Sequence, residues 1–490
     1  MKRILLLLVV VAALARVHAI ERHWSYGDHD GWGGAFYSNI ARNYLRYGYL
    51  ATGFAPITST GNVPVEKWRY YLSHPPLIGL FVSLSFLVFG EHEWSARIVP
   101  LVFSLGSILL IFRLASGLWS NRTAIVAAAI FAFVPMEVVY ATHVDPQGPP
   151  VTFAALLLLI AYQERRPLLA VAAFVLGAGF DWPIHYMTGL IAVHALVFEH
   201  EKRRWVLALP AASLVFVLGF LVYSQRVASN PEQHAIQSST DSFLFWSGIR
   251  VTRNHIPGHR MVAPDPVAWV GKESSYFREL YGLPLLVLSL VGVAAAGGRL
   301  QRSYLLLALL WGMAHVVLFP IGAFVHDYWM TYLAPGLALA GGRAIVWTAQ
   351  LLPDSARRLR TAAILAATVA LSVSSVARGI DRIETSRADP ASFGMRLHRL
   401  VGPNDGILSV SPFDARDAYY AGCRIRDQVN SVSLFEKALD ESPGYRYFVV
   451  PQSTYAAHPH KPLFESLGSC HDRLAFDGYY VFDLARCRDR

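Results

Sequence analysis

The sequence predicts a polytopic α-helical membrane protein with about 11 transmembrane helices, followed by a small α/β domain. Three observations carry this expectation. Hydrophobic residues make up 54% of the 490 and charged residues only 16%, against about 25% charged in ordinary soluble domains. The apolar residues are gathered into blocks, at 3–20, 75–89, 96–118, 123–141, 150–162, 167–180, 183–198, 204–223, 283–297, 303–320, 328–349 and 361–378. A span needs about 20 apolar residues to cross a ~30 Å hydrocarbon core, and several blocks reach that. Finally, the basic residues sort to alternate connections.

That sorting sets the orientation. With strict alternation from residue 96, one set of short connections holds Arg113 and Arg122, Arg165 and Arg166, Lys202 with Arg203 and Arg204, Arg299 and Arg302, and Arg357, Arg358 and Arg360. The opposite short connections, 142–149, 181–182 and 321–327, hold no Lys or Arg. The positive-inside rule makes the first set cytoplasmic, and Lys2 and Arg3 place the N-terminus there as well. The block 3–20 then exits to the outside and 96–118 starts there, so an even number of crossings lies between. The segment "HPPLIGLFVSLSFLVFG" (74–90) is therefore read as an interfacial or re-entrant helix. A cleaved signal peptide is the alternative for residues 1–19, with a basic start and a "VHA" site. Either reading exports residue 21.

Three extracytoplasmic pieces follow: 21–95, 224–282 and 385–490. The expected domains are a transmembrane domain over 1–384 and an external α/β domain over 385–490. In the latter, "GILSVSP" (406–412), "YRYFVVP" (445–451) and "YYVFDL" (479–484) are strand-like and "FESLGSC" (464–470) is helix-like. Its three cysteines, Cys423, Cys470 and Cys487, allow one disulfide, of which Cys470–Cys487 is one choice, and lack the spacing of a zinc site. The net charge of +9 fits cytoplasmic loops and does not indicate nucleic acid, since no basic-aromatic patch occurs in one soluble module.

Acids and histidines collect in the other loops. The stretch "YGDHDGWGGAFYSNIARNYLRYG" (26–48) supplies Asp28, His29 and Asp30 directly after the first apolar block, and its glycines let backbone approach a ligand closely. Further along come His143 and Asp145, Asp181 and His185, and His326 and Asp327. Ionisable groups at membrane depth are costly and tend to be functional, although Asp181 and Asp145 also suit helix capping. Basic residues appear outside against the topological bias: Lys67 and Arg69, and a cluster of Arg250, Arg253, His255, His259 and Arg260. Such cations suit phosphate; a solvated or headgroup-facing loop is the plainer reading.

At these residues the chain resembles the GT-C superfamily of membrane glycosyltransferases, in the branch of protein O-mannosyltransferases and lipid A aminoarabinose transferases. The ordered set is the acidic motif after the first block, "FYSNIARNYLRYG" (36–48), "HPPL" (74–77), "FGEHEWSARIVP" (89–100), the loop at Asp145 and "HDYWMTYLAP" (326–335). It covers about residues 1–350, with the tail alike only in kind. The resemblance implies the GT-C fold, a polyprenyl- or dolichyl-phosphate-linked sugar donor, and inverting transfer to a lipid, glycan or protein acceptor outside the cytoplasm, most simply at a bacterial inner membrane. It also implies Asp30 as general base. The usual adjacent Asp-Glu pair is here "DHDG", so the second acid is left between Asp28 and Asp145. In some relatives the acids of the first and second external loops, at the places of Asp30 and Asp145 here, share a divalent metal (Mg or Mn); in others no metal is required. His326 and Tyr328 match the place of the lipid phosphate, with Lys67 or Arg69 a looser match; His29, His74, Arg253, His255, His259 and Arg260 complete the expected substrate contacts. Rival readings are a lipid-linked glycan polymerase or ligase, a transporter, and a non-catalytic scaffold.

Overall fold

Each of the eleven blocks expected to span holds a helix in the computed structural model: Lys2–Arg16, Glu93–Leu118, Asn121–Phe133, Pro149–Gln163, Pro167–Phe180, Pro183–Phe198, Ala208–Val227, Leu283–Ala294, Arg299–Leu318, Ala334–Gln350 and Arg357–Thr385. The structure describes residues 1–26, 29–227, 235–249, 264–386, 391–402, 405–441, 444–455, 463–464, 467 and 473–485. By length and composition, four helical segments suffice to cross a membrane: Glu93–Leu118, His200–Val227, Arg299–Leu318 and Arg357–Thr385. The pair Pro266–Leu280 and Leu283–Ala294, bent by 94°, makes a fifth candidate. Several other apolar helices, such as the 13-residue Asn121–Phe133, are shorter than a full crossing. The apolar block expected at 328–349 starts as a 3-10 stretch, Asp327–Leu333, and becomes α-helical only at Ala334.

The chain divides into two compact units: Met1–Glu21, Tyr71–Val227 and Ile236–Ser386 form one, and Arg22–Tyr70, Ala228–Ala235 and Arg387–Arg490 the other. The segment 22–70 thus clusters with the C-terminal residues, a grouping that the expected boundary at 384/385 does not contain.

The first unit is the helical one. Its helices end on local signals. Gly90, at φ 81°, closes the helix Leu77–Phe89, and His92 and Ser95 form a capping box that opens Glu93–Leu118. The motif at 89–100 is thus first of all a helix junction. Small residues let three helices approach to backbone contact. A Cβ on Gly292 would meet Ala340 O at 1.9 Å, and one on Gly342 would meet Ala127 N at 2.7 Å. Without water inside a bilayer, such close packing is a main source of helix association. Arg16 is buried beside Glu137, Nη2 to Oε2 3.7 Å, and donates to Ala132 O at 3.1 Å. Lys202, counted with the cytoplasmic basic residues, is buried as well, 2.5 Å from Glu199 and 3.0 Å from the Tyr304 hydroxyl.

The second unit holds a five-stranded sheet. Its strands, in spatial order, are Arg424–Arg426, Gly406–Ser409, Tyr445–Pro451, Tyr479–Asp483 and Arg473–Phe476. The first three are mutually parallel, and the last two join antiparallel. Helices Ser392–Leu400, Ala415–Ala421 and Val432–Glu441 accompany them. One apolar layer packs Phe435, Phe448, Leu463 and Phe482, and another packs Phe393, Leu397, Ile407 and Val481. Cys423 is a free, buried thiol in the second layer, and burial pushes its pKa up to about 12. Cys470, Cys487 and most of 464–470 lie outside the described residues.

The helix contacts at Gly292 give a direct test. Gly292→Val forces two backbones apart and should cost about 2–3 kcal/mol, read as a lowered unfolding temperature in detergent. Gly189→Ala, where an added Cβ meets nothing within 4 Å, should leave that temperature nearly unchanged.

Candidate functional site

Within the helical unit, four connections bring their polar side chains together. The loop before Leu77 carries His74, the loop Ala141–Gly148 carries His143, Asp145 and Gln147, the junction at 181 carries Asp181, and the 3-10 stretch carries Asp327 and Tyr328 beside His326. His74 Nδ1 lies 2.6 Å from Asp181 Oδ1. Asp181 is fully buried and His74 15% exposed at the side chain, so the pair is sealed on one side and reachable on the other. The acid read as a helix cap makes no cap hydrogen bond to the helix Pro183–Phe198; it orients an imidazole instead. Trp182 Nε1 donates to Ser73 O at 2.8 Å and fixes the His74 loop from the neighbouring residue.

Asp145 lies 4.0 Å from His143 Nε2. Its Oδ1 accepts from Gln147 N at 2.9 Å, an Asx turn that shapes the loop before Gly148, at φ 85°, and the two prolines. Gly148 N then donates to Tyr332 Oη at 3.2 Å. The Tyr328 ring stands 4.8 Å from the His143 ring and 5.2 Å from that of His326. Trp246 meets His326 at 5.1 Å. Behind them, Tyr140 Oη donates to Asp327 Oδ1 at 2.6 Å, and Arg382 pairs with both Asp327 and Glu279. Asp327 is therefore a fixed anchor for Tyr328.

The electrostatics of the loops follow from burial against pairing. Burial opposes a charged His74, but the Asp181 carboxylate outweighs it, and His74 holds its proton to higher pH than a free imidazole. Burial raises Asp145 above the usual carboxylate range despite the pull of His143 and His74. Several buried polar atoms here have no protein partner: Asp181 Oδ2, Gln147 Oε1, His185 Nε2 and His315 Nε2. Each such atom costs about 1–3 kcal/mol unless something else bonds it, so the arrangement suits a polar ligand that brings donors as well as acceptors.

The remaining expected residues fall elsewhere. Asp30 stands in the first turn of the helix His29–Tyr47, in the second unit. Lys67 pairs with Glu441 at 3.3 Å and Arg69 with Asp427 at 2.7 Å, also in that unit. Both cations are engaged by carboxylates of the α/β domain. Asp28 and the cluster of Arg250, Arg253, His255, His259 and Arg260 lie outside the described residues. Among the described residues no three His, Cys, Asp or Glu side chains are grouped to hold a metal ion. Sequence reasoning named Asp181 without its role and missed Tyr140 and Arg382. The signal for Arg382 was weak, a charged residue near the end of an otherwise apolar-faced helix.

Comparison with known proteins bears on this arrangement. The family model described as dolichyl-phosphate-mannose-protein mannosyltransferase matches residues 73–227, the stretch carrying His74, Asp145 and Asp181. YkcB of Bacillus subtilis (strain 168), whose name marks it as an unproven mannosyltransferase, is 28% identical over 132 residues, 26% of this chain and 18% of that protein. The matched part thus spans under one fifth of that relative. Among solved structures, ArnT from Cupriavidus metallidurans, solved apo and bound to undecaprenyl phosphate, superposes with TM-score 0.61 at 15% identity over 97% of both chains. The oligosaccharyltransferase AglB from Archaeoglobus fulgidus, in complex with an inhibitory peptide and a dolichol-phosphate, gives 0.56 at 12% identity over 98% of this chain and 74% of that one. The fold is shared with these proteins.

The His74–Asp181 pair is testable without any substrate. A histidine-selective acylating reagent attacks only neutral imidazole, so the rate of His74 modification, read by peptide mass spectrometry, reports its protonation. Its pH midpoint should lie above that of a free imidazole in the parent protein and fall in Asp181→Asn. An unshifted midpoint would remove Asp181 as the cause.

Proposed function

We propose that this chain, GT-C in fold and resembling the protein O-mannosyltransferases and aminoarabinose transferases, is an integral-membrane inverting glycosyltransferase. Its donor is a sugar linked to a polyprenyl phosphate, and transfer occurs on the extracytoplasmic side of a membrane crossed 11 times. The observation that carries the reading is the set of buried, unbonded polar atoms around His74, Asp145 and Tyr328 in a bundle of apolar helices. A polar site in that setting, with His74 held protonated by Asp181, supports a ligand that combines sugar hydroxyls with a lipid phosphate.

In this reading the acceptor, a hydroxyl or amine, attacks the anomeric carbon opposite the phosphate. The bond between that carbon and the phosphate oxygen breaks with inversion, and the lipid phosphate leaves with the electron pair. Asp30 takes the acceptor proton. The leaving group is already anionic and needs cations and donors rather than a general acid. His74, kept protonated by Asp181, fills that role, with Tyr328 and His326 contacting the same phosphate. Arg253 and Arg260 are proposed as further phosphate contacts from the second external loop.

Two experiments test this. Transfer from a synthetic polyprenyl-phosphate sugar in detergent should fall about 10²–10⁴-fold in Asp30→Asn, the usual effect of removing a general base, with an unaltered size-exclusion profile. Parent-like turnover would end the assignment of the base. A reporter active only outside the cytoplasm, fused after residue 385, should give signal; a silent reporter that is active in cytoplasmic form would reverse the topology.

A further inference from the structure

The C-terminal residues of the second unit have no role in the scheme above, yet one of their helices holds the segment that leads into Asp30. Trp24 N donates to the Tyr420 hydroxyl at 2.7 Å, and Trp24 O accepts from Ala391 N at 3.1 Å. Arg416 Nη1 donates to Ser25 O at 3.0 Å, and its guanidinium stands 5.1 Å from the centre of the Tyr26 ring. The Tyr26 hydroxyl donates to Asp417 Oδ1, which also accepts from Gly394 N at 2.9 Å. Residues 24, 25 and 26 are therefore each bonded to a side chain of the helix Ala415–Ala421. The same helix reaches the far side of Asp30. Arg42, three turns along the helix His29–Tyr47, stacks 3.6 Å over Tyr419 and donates to its carbonyl. Trp24 is fully buried and lies against Gly34, where a Cβ would come within 2.1 Å of its ring.

We propose that the helix Ala415–Ala421 is a clamp that fixes the position of Asp30 by gripping the chain before and after it, with Tyr26 and Asp417 as the central positioning pair. The proposal rests on Asp30 being the base, and it gives the α/β domain a part in turnover. The chemistry of the pair supports it. Burial pushes the Asp417 carboxyl up to about 6, against the hydrogen bonds from Tyr26 and Gly394 and the charge of Arg416. A carboxylate so buried depends on the donors it has, which makes Tyr26 costly to release. Neither residue touches substrate. They act through geometry, and geometry is where general-base catalysis is least forgiving, since a displacement of about 1 Å costs up to about 10²-fold in rate.

The test separates the clamp from the base. Tyr26→Phe and Asp417→Leu should each lower kcat about 10–100-fold with the donor KM changed less than about 2-fold. Asp417→Asn keeps the acceptor oxygen for Tyr26 and Gly394 and should recover most of the loss. A direct chemical role for the carboxylate would show the opposite, with Asn as poor as Leu. Hydrogen exchange in a peptide covering residues 20–36 should speed up in Tyr26→Phe whether or not Asp30 is the base. Unchanged exchange there overturns the clamp. Faster exchange with parent kcat, alongside an active Asp30→Asn, overturns the base assignment and leaves the clamp standing as an anchor. Should Asp417→Leu fail to fold, the Tyr26→Phe measurements decide alone.

Discussion

A carboxylate removed from water must find compensation close by, and in the helical unit that constraint is concentrated at Asp181. Its side chain is fully buried, and its charge is felt by His74, Asp145, His185, Tyr186, His315 and Tyr332. These residues come from five different stretches of sequence. Among the described residues, His74 is the imidazole bonded to this carboxylate, which favours its charged form and helps hold the loop that carries it. Replacing the carboxylate with an apolar group would relieve the burial cost and take from His74 its hydrogen-bonded partner, leaving only the more distant charge of Asp145 to favour the imidazolium.

The surrounding helices supply rigidity rather than chemistry. Backbone contact at Gly292 and Gly342 leaves little room for the helices to slide, and the ion pair of Arg16 and Glu137 ties the first helix to the connection after Asn121–Phe133. Polar loops hung on such a frame keep their spacing. The unbonded atoms around Asp145 and Asp181 are tolerated because the frame cannot relax to satisfy them.

Much of this was legible in the sequence, and the reasons differ by residue. The helices follow from apolar run length, which composition states directly. The acidic loops at 145, 181 and 327 stood out because Asp is conspicuous between greasy runs. What the loops do to one another was hidden: "FDWPIH" reads as a helix start, and nothing local says that Asp181 faces a histidine 107 positions earlier. The ion pairs of Lys67 and Arg69 were hidden for a related reason. Their carboxylate partners, Glu441 and Asp427, come from a domain more than 350 residues away. The association of 22–70 with the C-terminal residues likewise depends on Trp24, Tyr26 and Arg42, none of which signals a long-range partner by type or spacing.

Cys423 carries a consequence for how the chain matures. A thiol must ionise to attack a disulfide, and this one is buried under the sheet with its proton held up to about pH 12. Once the sheet Arg424–Arg426, Gly406–Ser409 and Tyr445–Pro451 has closed, the sulfur is kinetically out of reach of oxidants and of mixed-disulfide exchange. Before those parallel strands close, the same thiol is open to oxidants and to a wrong covalent pairing, so the order of folding and oxidation decides its fate.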